Sequence, residues 1–130
     1  MGKTRVFSRR SIETVGLIAV GGFLGANARF LVARLATGPE GTLVVNALGS
    51  AILGLLLYHA RLSDVLTRRS RLVVGTGVLS SFTTYSTFAL HTYRLGLPGV
   101  AYAAGSYVAG FVGVAVGGFL ARSLAGGETA

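Results

Sequence analysis

Long apolar stretches alternate along the chain with short segments that hold nearly all of its charge. Apart from Arg29 in the first of them, these stretches carry no charged residue; they cover 14–33, 42–58, 72–90 and 95–121. A helix needs roughly 20 mostly apolar residues to cross the hydrocarbon core of a bilayer. The pattern therefore predicts an all-α membrane protein with four transmembrane helices, at about 14–35, 42–59, 72–92 and 97–121.

The four predicted spans leave almost no chain for a soluble domain. We expect a basic tail over 1–13, one transmembrane domain over 14–121 and a short tail over 122–130. The composition agrees, because 52% of the 130 residues are hydrophobic and only 12% are charged, about half the charged share of a soluble domain. The sequence has no cysteine, which removes disulfides and thiolate metal sites from consideration.

The net charge of +8 comes from basic residues at the ends of the apolar stretches, which argues against a nucleic-acid-binding surface. Four spans place both termini on one side of the membrane, and nine of the 12 Lys and Arg residues fall on that side. The other three are Arg29, Arg34 and Arg94. The positive-inside rule then predicts cytoplasmic termini, in a multi-pass protein of the cell inner (plasma) membrane.

Small residues recur one helical turn apart in two of the spans. The motifs Gly21-x-x-x-Gly25 and Gly113-x-x-x-Gly117 each place two glycines on one helix face. Such faces let helix backbones approach closely. Because four short helices enclose little space, we expect packing against a second subunit, with any pore formed together with that partner.

Polar side chains inside a span cost free energy unless they are paired or face a pathway. Asn46 in the second span is one such residue. Its amide could make a hydrogen bond to a neighbouring helix, or it could present an N–H donor to a dehydrated anion. The sequence alone leaves both interpretations open.

The third span contains a run of hydroxyl and aromatic residues. Between Ser80 and Phe88, six of nine residues are Ser or Thr and the other three are aromatic. Phe82, Tyr85 and Phe88 recur every third residue, which predicts that they share a face. Because Ser and Thr side chains compete for backbone hydrogen bonds, we expect the helix to be broken near mid-membrane, where freed carbonyls can bind an ion. A hydroxyl-rich packing face is the alternative.

Polar groups also occur in the first and fourth spans. Arg29 lies near the far end of the first span, where it could extend to the interface or raise the positive potential at an anion entrance. Tyr102 and Ser106 lie four residues apart, on one face of the fourth span. None of the four acidic residues falls inside a predicted span, so the interior suits an anion.

Three segments resemble, in order, the signatures of the Fluc/CrcB family of fluoride-specific ion channels. They are residues 21–30 (GGFLGANARF), 41–50 (GTLVVNALGS) and 83–88 (TTYSTF). The chain length and the four-span layout also agree with that family. The resemblance thus covers essentially the whole chain after the basic tail.

The resemblance implies an antiparallel dimer with two fluoride pores and a structural sodium ion that is not transported. Carbonyls at the break in the third helix hold the sodium ion in that family, and the matching residues are Ser80 and Thr83. Arg29 matches the family's first-span arginine, at the vestibule. The residues expected along the fluoride pore are Asn46, Tyr85, Ser86, Thr87, Phe88, Tyr102 and Ser106.

Fluoride chemistry is consistent with such a lining. Fluoride is small and strongly hydrated, so a pore must replace its water with amide N–H groups, hydroxyls and the positive edges of aromatic rings. The chain departs from the family pattern at four of the positions concerned. Ser80 and Ser81 stand where the family usually has two glycines, Tyr85 replaces a phenylalanine, and His91 stands where a glutamate is common.

The family resemblance implies passive fluoride export that lowers cytoplasmic fluoride. The residues argue against an enzyme, because the sequence contains no metal-ligand cluster and His59 and His91 lack a nucleophile or a ligand set. A subunit that pairs antiparallel with itself must insert in both orientations, which favours balanced loops rather than nine basic residues against three. We therefore expect either a dual-topology homodimer or a heterodimer with an oppositely oriented paralogue. The remaining alternatives are a small multidrug-type proton-coupled exporter, which would need a buried carboxylate, and a non-conducting partner subunit.

Overall fold

The computed structural model describes residues 9–62 and 67–126, and every regular element in these ranges is helical. Of the predicted tails 1–13 and 122–130, residues 1–8 and 127–130 lie outside the described residues, while the rest is helical. Helix α1 spans Arg9–Leu35 and α2 spans Gly38–Leu62. The segment predicted as the third span, called the third pass below, begins with α3 (68–82), which joins the turn Arg68–Arg71, the π-helical stretch Leu72–Leu79 and the turn Ser80–Phe82. It continues as α4 (Tyr85–Arg94), and α5 spans Leu97–Gly126.

The all-helical class predicted from the apolar pattern is confirmed. Within the described residues, α1, α2 and α5 are long and apolar enough to cross a membrane. The third pass is made of shorter helices. The helix α2 begins before the predicted span 42–59 and ends after it, because polar residues near its ends remain helical beyond the apolar stretch.

Two glycines shape the corners between helices. Gly38, which starts α2, has φ +71°, and Gly96, which precedes α5, has φ +61°. Side chains other than glycine rarely adopt these angles. Pro39 occupies the first turn of α2, where its missing N–H leaves no helical bond unmade.

The helices pack as two close pairs, α1 with α3 and α2 with α5. A Cβ atom added at Gly25 of α1 would overlap the Val78 carbonyl of α3, and one added at Gly117 of α5 would overlap the Ala51 carbonyl of α2. Backbone therefore lies directly against backbone at both contacts. The two glycine motifs, for which we expected a partner subunit, are occupied by contacts within this chain.

Large apolar side chains point away from these contacts. Phe23 is 69% exposed and Phe111 is 75% exposed, whereas the buried positions include small residues such as Gly21 and Ala121. This inverted distribution suits a chain that lipid surrounds.

Candidate functional site

The third pass is interrupted at Thr83 and Thr84. Thr83 has φ −77° and ψ 160°, and Thr84 has φ −147° and ψ 118°, so the backbone is extended between α3 and α4. The Thr84 side chain caps α4, because its Oγ1 accepts a hydrogen bond from the Thr87 N–H at 3.2 Å. The Thr83 Oγ1 instead donates to the Leu79 carbonyl at 3.0 Å. Local hydroxyls thus provide hydrogen bonds at both helix ends.

The side chain of Asn46, from α2, makes two hydrogen bonds to the backbone of this interruption. Its Nδ2 donates to the Thr84 carbonyl at 3.0 Å, and its Oδ1 accepts from the Thr84 N–H at 2.8 Å. This pair of bonds fixes the orientation of the amide, since the opposite orientation would set donor against donor. The interhelical bond that the sequence left open is therefore present, and one Nδ2 hydrogen remains for a further acceptor.

The interruption also separates the carbonyls of Ser80 and Thr83 from their helical partners. In a continuous helix they would accept from the N–H groups four residues further on, those of Thr84 and Thr87. The Thr84 N–H donates to Asn46, and the Thr87 N–H donates to the Thr84 hydroxyl. Two carbonyl oxygens at the end of α3 thereby lose their helical partners.

Phe88 of α4 lies at the centre of an aromatic cluster. Its ring centroid is 5.8 Å from those of Tyr85 and Tyr102 and 5.9 Å from that of Tyr107, which it meets edge-to-face at 79°. Phe82 lies beside α2 and is 7% exposed, while Tyr85 is 75% exposed. The prediction that Phe82, Tyr85 and Phe88 share a face is therefore wrong, because the interruption at 83–84 breaks the helical register.

Two hydroxyls of α5 are buried without a hydrogen-bond partner. They are the Tyr102 Oη and the Ser106 Oγ. The side chains of Ser106 and Thr42 lie close to the Tyr102 hydroxyl, without the length and geometry of a hydrogen bond. Since a buried hydroxyl without a bond costs free energy, these groups are suited to an ion or to water.

A first cleft of about 480 Å³ lies between α1, α2 and α4. Arg29 of α1 and His91 of α4 face this space together. The cleft also has three hydroxyl residues in its lining, namely Thr42, Thr84 and Thr87. The Thr42 hydroxyl donates to the Gly38 carbonyl at 3.5 Å and the Thr84 hydroxyl to the Thr87 Oγ1 at 3.0 Å. The donors left for a guest are therefore those of Thr87, Arg29 and His91.

A second cleft of about 370 Å³ lies between α2, α4 and α5. Its lining includes Asn46, Phe88 and Ser106. Tyr85 and Tyr107 from the aromatic cluster also line it. Because the Tyr102 hydroxyl lies near Thr42 of the first cleft and near Ser106 of the second, it connects the polar linings of the two.

The structure thus places five of the seven predicted pore residues in these two clefts. The first cleft contains Arg29 and Thr87, the second contains Asn46, Tyr85, Phe88 and Ser106, and Tyr102 lies between them. Ser86 is exposed, with its hydroxyl 3.4 Å from the Thr84 Oγ1. Ser80 and Thr83 lie at the end of α3, where the exposed Ser80 hydroxyl bonds to the Thr76 carbonyl.

Three further residues of the clefts were not anticipated from the sequence. Thr84 has a local signal, because a threonine three residues before Thr87 fits an N-cap. Thr42 and Tyr107 have none, since their positions depend on which helices become neighbours.

Comparison with known proteins agrees with this fold. A family model described as CrcB-like protein, Camphor Resistance (CrcB), matches residues 16–118. The chain is 44% identical over 117 residues to Fluoride-specific ion channel FluC 1 of Haloarcula marismortui, a match that covers 90% of this chain and 92% of that protein. It is 45% identical over 120 residues to FluC 2 of Halobacterium salinarum, covering 91% and 94%. A more distant relative, FluC of Oceanobacillus iheyensis, is 34% identical over 110 residues, covering 82% and 85%. With a family model that matches most of its length and relatives of this similarity, the chain belongs to the CrcB family, which includes the fluoride-specific ion channels.

Proposed function

We propose that this chain is one subunit of a fluoride-selective channel, which lets fluoride leave the cell passively and so lowers cytoplasmic fluoride. The family and the names of the relatives support an ion channel and not an enzyme. The observation that carries the proposal is the interruption at Thr83 and Thr84, braced by Asn46. Irregular backbone within a membrane is tolerated where it lines a cavity or binds an ion.

The fluoride path in this proposal runs from the first cleft past Tyr102 to the second cleft. Fluoride would exchange its water for the hydroxyl of Thr87, then for those of Tyr102 and Ser106. These donors are neutral, so they replace hydration without trapping the ion, as conduction requires. The unpartnered Tyr102 and Ser106 hydroxyls support this assignment most directly, since they lack other acceptors.

In the second cleft the path meets the aromatic cluster and the Asn46 amide. Ring edges carry partial positive charge, and Phe88 contacts three tyrosines at centroid distances below 6 Å. The remaining Nδ2 hydrogen of Asn46 adds a donor that its bond to Thr84 holds in place. Tyr85 stands where the family pattern has a phenylalanine, and its hydroxyl adds a further polar group to this lining.

We further propose that a structural sodium ion is held by the carbonyl oxygens of Ser80 and Thr83. Both carbonyls have lost their helical partners, and carbonyl coordination needs no particular side chain. Ser80 has φ −66° and ψ −27°, so its backbone does not require the glycine that the family usually has there. When bound, the ion would supply fixed positive charge beside the fluoride path.

A second subunit would complete this arrangement. Thr76 and Ser80 are polar and exposed on the outer face of α3, near the mid-membrane depth that we assign to the interruption, and polar groups there are costly in lipid. We propose an antiparallel dimer that covers this face, with sodium at the dimer interface. The partner is a second copy or an oppositely oriented paralogue. The bias of basic residues favours cytoplasmic termini for this chain, with the protein in the inner membrane, unless the chain inserts in both orientations.

The proton-coupled exporter is not favoured by the structure. Such an exporter needs a carboxylate inside the membrane. Glu13 lies at the first turns of α1, where it pairs with Arg69 at 3.1 Å, and Glu40 lies exposed in the first turn of α2. Both described carboxylates are therefore near helix ends.

Fluoride and chloride efflux from liposomes that contain only this chain tests the channel function. We expect fluoride to leave far faster than from protein-free liposomes, and chloride to leave no faster. Equal efflux of both ions would contradict selectivity. If this chain alone releases no fluoride, it is co-reconstituted with a paralogue of opposite charge bias: conduction by the pair supports a heterodimer, and its absence refutes the channel proposal.

The sodium ion and the orientation have separate tests. Replacing sodium by a large organic cation on both sides should lower the fluoride efflux and the thermal stability, and unchanged values of both would contradict the sodium site.

Labelling from either side of the membrane of a single cysteine introduced at a terminus reports orientation. Labelling from one side only supports the heterodimer, whereas equal labelling from both sides contradicts it.

A further inference from the structure

Two basic side chains from separate helices face the same space in the first cleft. Arg29 belongs to α1 and His91 to α4, and the hydroxyl residues Thr42, Thr84 and Thr87 complete the polar lining. No Asp or Glu from the described ranges 9–62 and 67–126 lines the cleft. Its basic groups are therefore not neutralised by a carboxylate within the cleft.

The first cleft has room for an anion that keeps part of its water. Its volume is about 480 Å³, while one water molecule takes up about 30 Å³ of the liquid. Donors from α1 and α4 face this space from two sides, so they can bind an anion through water as well as directly. The cleft thus suits a small hydrated inorganic anion.

His91 differs from Arg29 because the charge on its side chain depends on pH. An imidazole changes its charge between pH 5 and 8, whereas a guanidinium stays charged. The His91 ring also meets the Tyr102 ring edge-to-face, with centroids 6.4 Å apart at 82°. His91 therefore lies both in the first cleft and against the ring of Tyr102.

The other ionisable groups near His91 come from each neighbouring helix. Arg29 faces it from α1 across the cleft, and Tyr102 faces it from α5. The helix α2 places no charged side chain in the lining of the first cleft. Its Glu40 is exposed and does not line the cleft. On α4 itself, Arg94 is exposed one turn further on. Protonation of His91 would thus add a second positive charge to a cleft that holds one.

We propose that Arg29 and His91 together bind a small hydrated anion in the first cleft, and that protonation of His91 strengthens this binding. The inference rests on the proposed fluoride channel, in which this cleft is one mouth of the path. A second positive charge raises the local fluoride concentration there. Fluoride flux should therefore rise as the pH falls through the imidazole range.

Efflux at about pH 5.5 and pH 7.5, on either side of the imidazole range, tests this through the ratio of the two rates. Protein-free liposomes at each pH provide the correction for permeation of hydrogen fluoride. We expect a ratio of roughly fivefold in the native chain, as for one added charge at a partly solvated site. In His91→Gln and His91→Lys the ratio should be close to one. His59→Gln is the matched control, because it removes the other histidine and should keep the native ratio.

Nuclear magnetic resonance of labelled histidine gives a readout that does not depend on conduction. In His59→Gln, His91 is the only labelled ring, and added fluoride should shift its signal, since binding and protonation are coupled. Arg29→Gln should abolish that shift. If fluoride conducts but neither the shift nor the His91-dependent ratio appears, the anion site is refuted and the channel stands. If the shift appears without conduction, the anion site stands and the proposed function fails.

Discussion

The side chain of Asn46 and the backbone of Thr84 form a closed pair of hydrogen bonds, 3.0 Å and 2.8 Å long. The amide offers the same donor and acceptor as a peptide group. Asn46 therefore gives Thr84 the partners that an interrupted helix cannot provide. The shape of the interruption in the third pass is fixed in part by a residue of α2.

Replacing Asn46 by Asp should abolish fluoride flux. The carboxylate would face the Thr84 carbonyl oxygen, lose the donor, and place a negative charge beside the proposed path. We expect the free energy of unfolding to fall by about 1–3 kcal/mol, as for a buried acceptor left without its donor. Efflux from liposomes and thermal unfolding in detergent measure the two effects.

Alanine variants test whether the hydrogen bonds of Asn46 to Thr84 stabilise the fold more than an asparagine that bonds only within its own helix. Asn46→Ala should lose stability, whereas Asn27→Ala should not, because Asn27 is exposed and bonds within its own helix to the Phe23 carbonyl. Unchanged flux in Asn46→Asp would remove Asn46 from the path.

Replacing Thr84 by Val should weaken the start of α4. Valine has a similar shape but no oxygen to accept the Thr87 N–H, and loss of such a cap costs about 0.5–2 kcal/mol. Thr84→Ser keeps the oxygen and should keep most of the stability. Thermal unfolding of the two variants makes the comparison. Equal stability of the two would contradict the capping role.

Removing the unpartnered hydroxyls should affect flux more than stability. Tyr102→Phe and Ser106→Ala delete groups that make no hydrogen bond, so the free energy of unfolding should be unchanged or slightly higher. Fluoride efflux should fall in both variants, because each removes a proposed donor. Ser123→Ala, whose hydroxyl bonds to the Phe119 carbonyl near the end of α5, is the control. A fall in stability with normal efflux would make these hydroxyls structural instead.

Adding a methyl group at a helix contact should destabilise the fold. In Gly25→Ala the new Cβ would overlap the Val78 carbonyl, and such overpacking costs about 1–3 kcal/mol. Gly16→Ala on the same helix is the matched control, because nothing lies within 4 Å of its Cβ position. There the change should be neutral or stabilise by about 0.5–1 kcal/mol. Thermal unfolding compares the pair, and equal stability would contradict the close contact of α1 with α3.

The apolar pattern predicted the fold well because lipid contact leaves a strong mark on sequence. The helices α1, α2 and α5 coincide with three predicted spans, and only their ends differ. Glu40 shows why: it lies outside the apolar stretch, yet it remains within α2. An apolar stretch reports what lipid covers, while a helix continues as long as its backbone bonds are made.

The candidate site was less predictable because it depends on contacts between helices. The hydroxyl run of the third span pointed to an irregular backbone, but no local signal connected Asn46 with Thr84. The expected shared face of Phe82 and Tyr85 failed because periodicity assumes one continuous helix. The role of Thr42 depends on α2 and α5 lying side by side, which local sequence does not encode.

The two extended threonines also have an electrostatic consequence. An uninterrupted helix has its partial charges at the membrane surfaces, whereas Thr83 and Thr84 bring one negative and one positive helix end together inside the protein. The carbonyls of Ser80 and Thr83 belong to the negative end of α3, and the N–H groups from Tyr85 onward belong to the positive end of α4. Two residues thus give one span neighbouring positions of opposite polarity, one suited to a cation and the other to an anion.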